Sequence, residues 1–245
     1  MKKISPLCRK GFTMVELLVV MALIGILMTM SAGVLRDAGK GRGLDSGVDM
    51  LESMVQEARA TAQGNDTCTR LVIAVDPADK SKESRHLRYM TIMMKELKDT
   101  KGSYDGTDVR RAGTWKSVSA GTMLPPDVYF TPHFSKPLAW AEGNGNTMLG
   151  NDSVRLSNKG YTKVFYIEFD EKGRFVQPNA DPLNPTSPQR LVLINARRGD
   201  GRGSHDGIIP RDTDSKKNPA GAKGIVVWPS GDTSLLRTQE QVFED

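Results

Sequence analysis

The feature that most constrains this chain is an apolar run near its amino end. Residues 14–32 contain a single ionisable side chain, Glu16. A helix over the longer stretch 12–35 would rise ~36 Å, enough to cross the ~30 Å hydrocarbon core of a bilayer. Basic residues precede the run, which favours a cytoplasmic amino end and a carboxyl-terminal part that crosses the membrane. The sequence therefore predicts one membrane-spanning helix over residues 12–35.

Glu16 needs an explanation, because a carboxylate at the centre of a membrane span costs about 2–3 kcal/mol. No cation lies within the apolar run to neutralise it. Cleavage after Gly11 would create a new amino group on Phe12, four residues before Glu16. The ammonium of one copy could then neutralise Glu16 of an adjacent copy. The alternative is an ordinary secretory signal ending at the small residues 31–33, which explains neither Glu16 nor the length of the run.

The segment Lys10-Gly11-Phe12-Thr13-Met14-Val15-Glu16-Leu17 resembles the signal sequence of type IV prepilins and type II secretion pseudopilins. The resemblance implies cleavage after Gly11 by a prepilin peptidase, N-methylation of Phe12 and a role for Glu16 in subunit registration during assembly. The implied partners are that peptidase, other pilin or pseudopilin subunits, the inner-membrane assembly platform and membrane lipid. The alternative is a generic signal-anchor in which the glutamate is accidental.

Charge and cysteine usage both depend on the predicted leader, residues 1–11. The formal net charge is +5, and four basic residues lie in the first ten positions with no acidic residue among them. Cleavage would remove these four charges and leave +1, so the basic pI says little about a nucleic-acid partner. Cys8 would leave with the leader, and Cys68 would then have no intramolecular disulfide partner.

Downstream of the apolar run, the periodicity changes from helix to strand. Val48, Leu51, Val55, Ala58 and Ala62 follow steps of three and four residues and predict one apolar face of an amphipathic helix that stops near residue 64. Alternating apolar segments then predict an antiparallel sheet and an α+β, helix-on-sheet fold. The predicted strands are 69–75, 87–94, 128–131, 163–169, 190–196, 224–228 and 233–236, with hairpin turns at 170–173 and 229–232.

These patterns divide the chain into four parts. The predicted boundaries are a leader at 1–11, a transmembrane segment at 12–35, an amphipathic continuation of the helix at 36–64, and a periplasmic or extracellular β-rich domain at 65–245. Two polar stretches inside that domain, 135–160 and 197–223, are predicted to be long loops.

A second resemblance concerns the β-rich domain and the helix before it. Glu57-Ala58-Arg59-Ala60-Thr61-Ala62, Leu124-Pro125-Pro126-Asp127-Val128, the 169–174 segment and the 227–231 segment are similar to elements of the GspH and FimT minor subunits. That similarity implies a minor subunit of a pilus or pseudopilus. FimT-like proteins also serve in DNA uptake, which leaves open a DNA-binding alternative.

The 197–223 stretch carries both weaker candidate sites. Arg197, Arg198 and Arg202 are candidate phosphate contacts, yet aspartates are interleaved with them and no aromatic residue in the stretch offers a base a stacking surface. A solvated loop is the competing interpretation. The same stretch offers oxygen ligands for calcium, but they do not fall into a recognisable spacing. We therefore expect no cofactor and keep calcium binding as the alternative. Its candidate ligands are Asp200, Asp206, Asp212 and Asp214.

The sequence favours a structural subunit of a filament and disfavours an enzyme. No nucleophile, zinc-protease or phosphate-loop motif occurs in the required context. The histidines, His86, His133 and His205, are widely spaced and predict neither a metal site nor a catalytic centre. The predicted precursor sits in the inner membrane with a single span and then enters a pilus or pseudopilus.

Overall fold

A computed structural model describes residues 14–76, 84–96, 114–138, 149–157, 160–176, 187–199 and 207–243. The chain divides into two compact units, Met1–Gly41 and Arg42–Asp245. Helix α1 runs from Met14 to Asn65 and belongs in part to each unit. It is helical throughout and includes glycines at 39, 41 and 43, a residue type that weakens a helix by about 1 kcal/mol relative to alanine.

The second unit contains two antiparallel sheets. The larger sheet has the order β3-β2-β1-β7-β6, with β4 paired to β2 and β8 paired to β7. Its strands are β1 (Thr69–Asp76), β2 (Tyr89–Glu96), β3 (Thr114–Ser117), β4 (Thr122–Met123), β6 (Gly150–Ser157), β7 (Gly160–Phe169) and β8 (Phe175–Val176).

The smaller sheet has the order β10-β9-β11-β12, with β5 paired to β9. Its strands are β5 (Val128–Phe130), β9 (Gln189–Arg198), β10 (Ile208–Pro210), β11 (Lys223–Val227) and β12 (Thr233–Leu236), and a short helix α2 (Gln239–Phe243) follows. Arg190 holds α2 in place from a buried position, because its guanidinium donates to the carbonyl of Val242 at 2.8 Å.

One hydrophobic core joins the α1 face to both sheets. Every residue of the predicted apolar stripe is buried, and Leu44 and Met54 extend it. Gly47 lets α1 approach the smaller sheet closely, since a Cβ added there would lie 3.0 Å from Val128 and 3.3 Å from Leu193. Thr69 ties the start of β1 to the helix by donating to the carbonyl of Ala58 at 2.7 Å. The predicted α+β class is confirmed.

The prediction of a loop over 135–160 is wrong for its second half. Residues Gly150–Ser157 form β6, which pairs with β7. Val154 is buried between the exposed residues Ser153 and Arg155, a local alternation that the Gly, Asn and Ser content of the stretch concealed.

The prediction of a loop over 197–223 is wrong at its start and in its middle. Arg197 and Arg198 complete β9, and Ile208–Pro210 pairs with that end as β10. The amide of Gly199 donates to the carbonyl of Gly207 at 2.9 Å and continues the pairing past the strand ends. A three-residue apolar run supplied too little pattern to predict β10, because its partner lies elsewhere in the chain.

Candidate functional site

The first described turns of α1 are apolar on every side and exposed. The exposed fraction is 89% for Met14, 69% for Leu18 and 70% for Met28, and the other large apolar side chains between them are also exposed. A helix that is apolar all round needs a nonpolar environment, either in a membrane or among other helices. An apolar surface of this extent indicates an interaction site.

Glu16 lies in the first turn of α1, where the positive end of the helix dipole favours a carboxylate. Its side chain is exposed among apolar neighbours. The other predicted processing residues, Gly11 and Phe12, lie outside the described residues. Among the helices that the structure describes, none is both long and apolar enough to cross a membrane.

Comparison with protein-family models finds one match at this end of the chain. The prokaryotic N-terminal methylation motif matches residues 7–32, a segment that includes Gly11, Phe12 and Glu16. The chain carries the hallmark motif of type IV prepilins and pseudopilins. No curated protein and no solved structure matches the chain in the corresponding comparisons.

Three of the elements that resemble minor-subunit motifs meet around Arg59. Its guanidinium donates to Asp232 at 2.6 Å, in the turn between β11 and β12. Gly173, in the turn between β7 and β8, leaves room for the same side chain, since an added Cβ would lie 2.9 Å from the Arg59 Cγ. Gly231 packs against the carbonyl of Gly173. These short motifs are therefore one packing unit at the carboxyl-terminal end of α1.

Both of the predicted hairpin turns are confirmed. In the first, Asp170 accepts hydrogen bonds from the backbone amides of Lys172 and Arg174 at 3.0 and 2.8 Å. In the second, the amide of Gly231 donates to the carbonyl of Trp228 at 2.8 Å. Gly173 and Gly231 have φ of +72° and +84°, a region that side chains other than glycine adopt at a cost.

The predicted nucleic-acid residues do not form one surface. Arg197 and Arg198 are consecutive residues of β9, so their side chains leave opposite faces of the sheet. Arg202 lies outside the described residues. A further cation of this region, Arg211, is engaged with Asp127 at 2.8 Å. The geometry gives no support to a continuous phosphate-binding face on this strand.

The calcium candidates that are described do not converge on an ion. Asp214 accepts from the backbone amides of Lys216 and Asn218 and from the side chain of Gln239, so it stabilises its own turn. Asp200 and Asp206 lie outside the described residues. Within the part of the chain that the structure describes, no group of three metal-ligating side chains occurs.

The second unit has a groove that sequence reasoning missed. Its volume is about 440 Å³, and it lies between the exposed face of α1 and the loop 119–122. One wall of the groove could have been predicted from the sequence, because Ser46, Asp49, Ser53 and Glu57 recur at steps of three and four on the side of α1 opposite the apolar stripe. The other wall comes from a segment more than 60 residues later, which local periodicity cannot place.

Proposed function

We propose that this chain is a structural, non-enzymatic subunit of a type IV pilus or a type II secretion pseudopilus. The observation that carries the proposal is the methylation motif at 7–32, which continues into a helix whose apolar side chains are exposed on every side. A helix of this kind is suited to two nonpolar environments in succession, the lipid of a precursor and the core of a filament.

The proposed maturation begins with a precursor in the inner membrane. Residues 12–35 form its single span, the amino end faces the cytoplasm, and the β-rich domain lies in the periplasm. A prepilin peptidase cuts after Gly11 and methylates Phe12. An inner-membrane assembly platform then moves the subunit from lipid into a filament of other pilin-like subunits. The resemblance to the GspH and FimT groups favours a minor subunit.

Glu16 has a defined role in this proposal. In the filament core, the new amino group of Phe12 on one subunit lies against the Glu16 carboxylate of its neighbour. The pair neutralises two charges that are costly to bury separately. Because only one relative position of two helices brings the groups together, the pair also selects the register of assembly.

The decisive experiment is the mass of the amino-terminal peptide of the protein recovered from membranes and from sheared filaments. A peptide that begins with N-methylated Phe12 supports the proposal. An amino terminus at Met1 would indicate an unprocessed signal-anchor, and one near Gly33 would indicate an ordinary secreted domain. A Gly11→Leu variant is the control, since it should remain at its precursor mass.

A further inference from the structure

The face of the smaller sheet that points away from α1 carries a pocket. Leu193 of β9 lies on the α1 side, because an added Cβ at Gly47 would be 3.3 Å from it. The next residue, Ile194, therefore leaves the opposite face of the sheet, where it lines a pocket of about 540 Å³. The other walls come from segments 131–134, 208–210 and 213–218. This volume is typical of sites that hold a small organic ligand.

One wall of the pocket is apolar, because two adjacent strands send side chains to the same face. Ile208 and Pro210 of β10 pair with residues of β9 that lie an even number of positions from Ile194, so all three share a face. Phe134 adds an aromatic ring, which packs edge-on against Phe243 with 5.3 Å between the ring centroids. The wall suits a branched or aromatic apolar group.

The rim of the pocket is cationic. Lys216 and Lys217 both line it, and no carboxylate among the described residues does. Both lysines are exposed, and neither forms an ion pair with another residue in the described part of the chain. A bound carboxylate would therefore meet two ammonium groups without displacing an existing partner.

The turn that carries the two lysines is fixed by Asp214, whose carboxylate is engaged within the fold. Asp214 accepts from the backbone amides of Lys216 and Asn218 at 2.9 and 2.8 Å, and from the side chain of Gln239 at 2.7 Å. Lys217 has a φ of +65°, a left-handed conformation that residues other than glycine adopt at a cost. A lysine at a position suited to glycine is consistent with a binding role for its ammonium group.

We propose that this pocket binds an amphipathic carboxylate. Its apolar part lies against Ile194, Ile208 and Phe134, and its carboxylate lies at Lys216 and Lys217. Two sources have this chemistry: a free organic acid, and the carboxyl-terminal residue of a polypeptide when that residue is apolar. The pocket is separate from the amino-terminal motif, so this inference goes beyond the proposed function and does not depend on it.

Fluorine NMR of a small probe tests the chemistry of the ligand. The probe is N-acetyl-4-fluorophenylalanine, titrated against the full-length chain in nanodiscs of zwitterionic lipid, with empty nanodiscs as the blank. The corresponding amide has the same size but no charge, and it should bind about tenfold more weakly. Inorganic phosphate at matched ionic strength should not displace the probe, because it has no apolar part.

Substitution of the lysines tests the location of the site. Lys216→Gln and Lys217→Gln should each weaken binding of the probe about threefold, and the double variant about tenfold. Lys217→Gly also removes the ammonium group but suits the left-handed turn, so it should weaken binding without lowering the thermal midpoint. Lys116→Gln is the control, because it removes an exposed lysine from β3 of the larger sheet and should leave binding unchanged.

A second probe, 3-(4-fluorophenyl)propanoate, separates the two sources, since it keeps the ring and the carboxylate but lacks the acetamido group. Tighter binding of N-acetyl-4-fluorophenylalanine would support the proposal with a polypeptide carboxyl terminus as the ligand. Equal or tighter binding of the propanoate would support it with a free acid. Absence of binding by both probes, equal affinity for acid and amide, displacement by phosphate, or unchanged binding in the double lysine variant would each overturn the proposal.

Discussion

The Arg59 guanidinium donates a 2.6 Å hydrogen bond to the Asp232 carboxylate and so joins α1 to the turn between β11 and β12. Gln56 makes a second link beside it, donating to the Thr233 hydroxyl at 2.9 Å. These contacts lie about 175 residues apart in the chain. They hold the carboxyl-terminal end of the helix against the hairpin.

The Arg59–Asp232 contact predicts a dependence of stability on acid pH. Hydrogen bonds from Ser230 and Arg59 lower the pKa of Asp232 below its ordinary value of 3.8. A carboxyl whose pKa is lowered by folding stabilises the native state above its unfolded pKa, and this contribution is lost as the pH falls through the folded value. The stability difference between the wild type and Asp232→Asn should therefore be present at neutral pH and vanish in acid below that ordinary value.

Urea unfolding at a series of pH values measures this difference on a chain that begins at Arg42 and contains the whole second unit. Asp212→Asn is the matched control, because it removes an exposed carboxylate from another turn. A gap between the wild type and Asp232→Asn that stays constant from neutral pH into strong acid would contradict the assignment.

Two glycines with positive φ differ in what surrounds them, which gives a prediction with an internal control. At Gly231, an added Cβ would lie 2.0 Å from the carbonyl oxygen of Gly173, whereas at Gly221 it would meet nothing within 4 Å. Both have positive φ, +84° and +69°. Gly231→Ala should cost about 2–4 kcal/mol of unfolding free energy, and Gly221→Ala about 1 kcal/mol. Equal costs would show that the contact with Gly173 is unimportant.

Substitution of Glu16 should separate processing from assembly. Glu16→Ala should leave cleavage after Gly11 unchanged, because the peptidase site precedes it, and should reduce incorporation into filaments because the amino group of Phe12 loses its partner. Glu16→Asp keeps the charge and should retain more incorporation than Glu16→Ala. Peptide mass and the amount in sheared filaments provide the two readouts. Normal incorporation of Glu16→Ala would remove the proposed registration mechanism.

The arrangement of Arg197 and Arg198 predicts that neither dominates binding to nucleic acid. Since their side chains leave opposite faces of β9, substituting both with alanine should leave the affinity of the domain for duplex DNA unchanged. Fluorescence anisotropy at two salt concentrations measures this. Salt-dependent binding that is lost in the double variant would instead favour the DNA-uptake alternative.

Several features of the fold were predictable because short-range patterns encode them. The apolar stripe from Val48 to Ala62 was predicted residue by residue, since burial of one helix face requires steps of three and four. The turns at Gly173 and Gly231 were predicted for a similar reason, because positive φ favours glycine. Strand β12 was placed at 233–236, as found.

Other features depend on pairing between distant segments. Strands β6 and β10 lie inside stretches predicted to be loops, and their partners β7 and β9 supply the hydrogen bonds that make them strands. Helix α2 was also not predicted, since it depends on the buried Arg190 that bonds its last turn. The polar composition of these segments does not indicate such pairing partners.

By itself the sequence determined the amino-terminal motif with Gly11, Phe12 and Glu16, and the division of α1 into apolar and amphipathic parts, because these properties lie in neighbouring residues. The tertiary structure decided which of the remaining residues act together. It gathered Arg59, Gly173 and Gly231 into one packing unit and set residues 119–122 beside the exposed face of α1 to form a groove. Such contacts arise from closing long loops of chain around a shared core, and no local pattern records them.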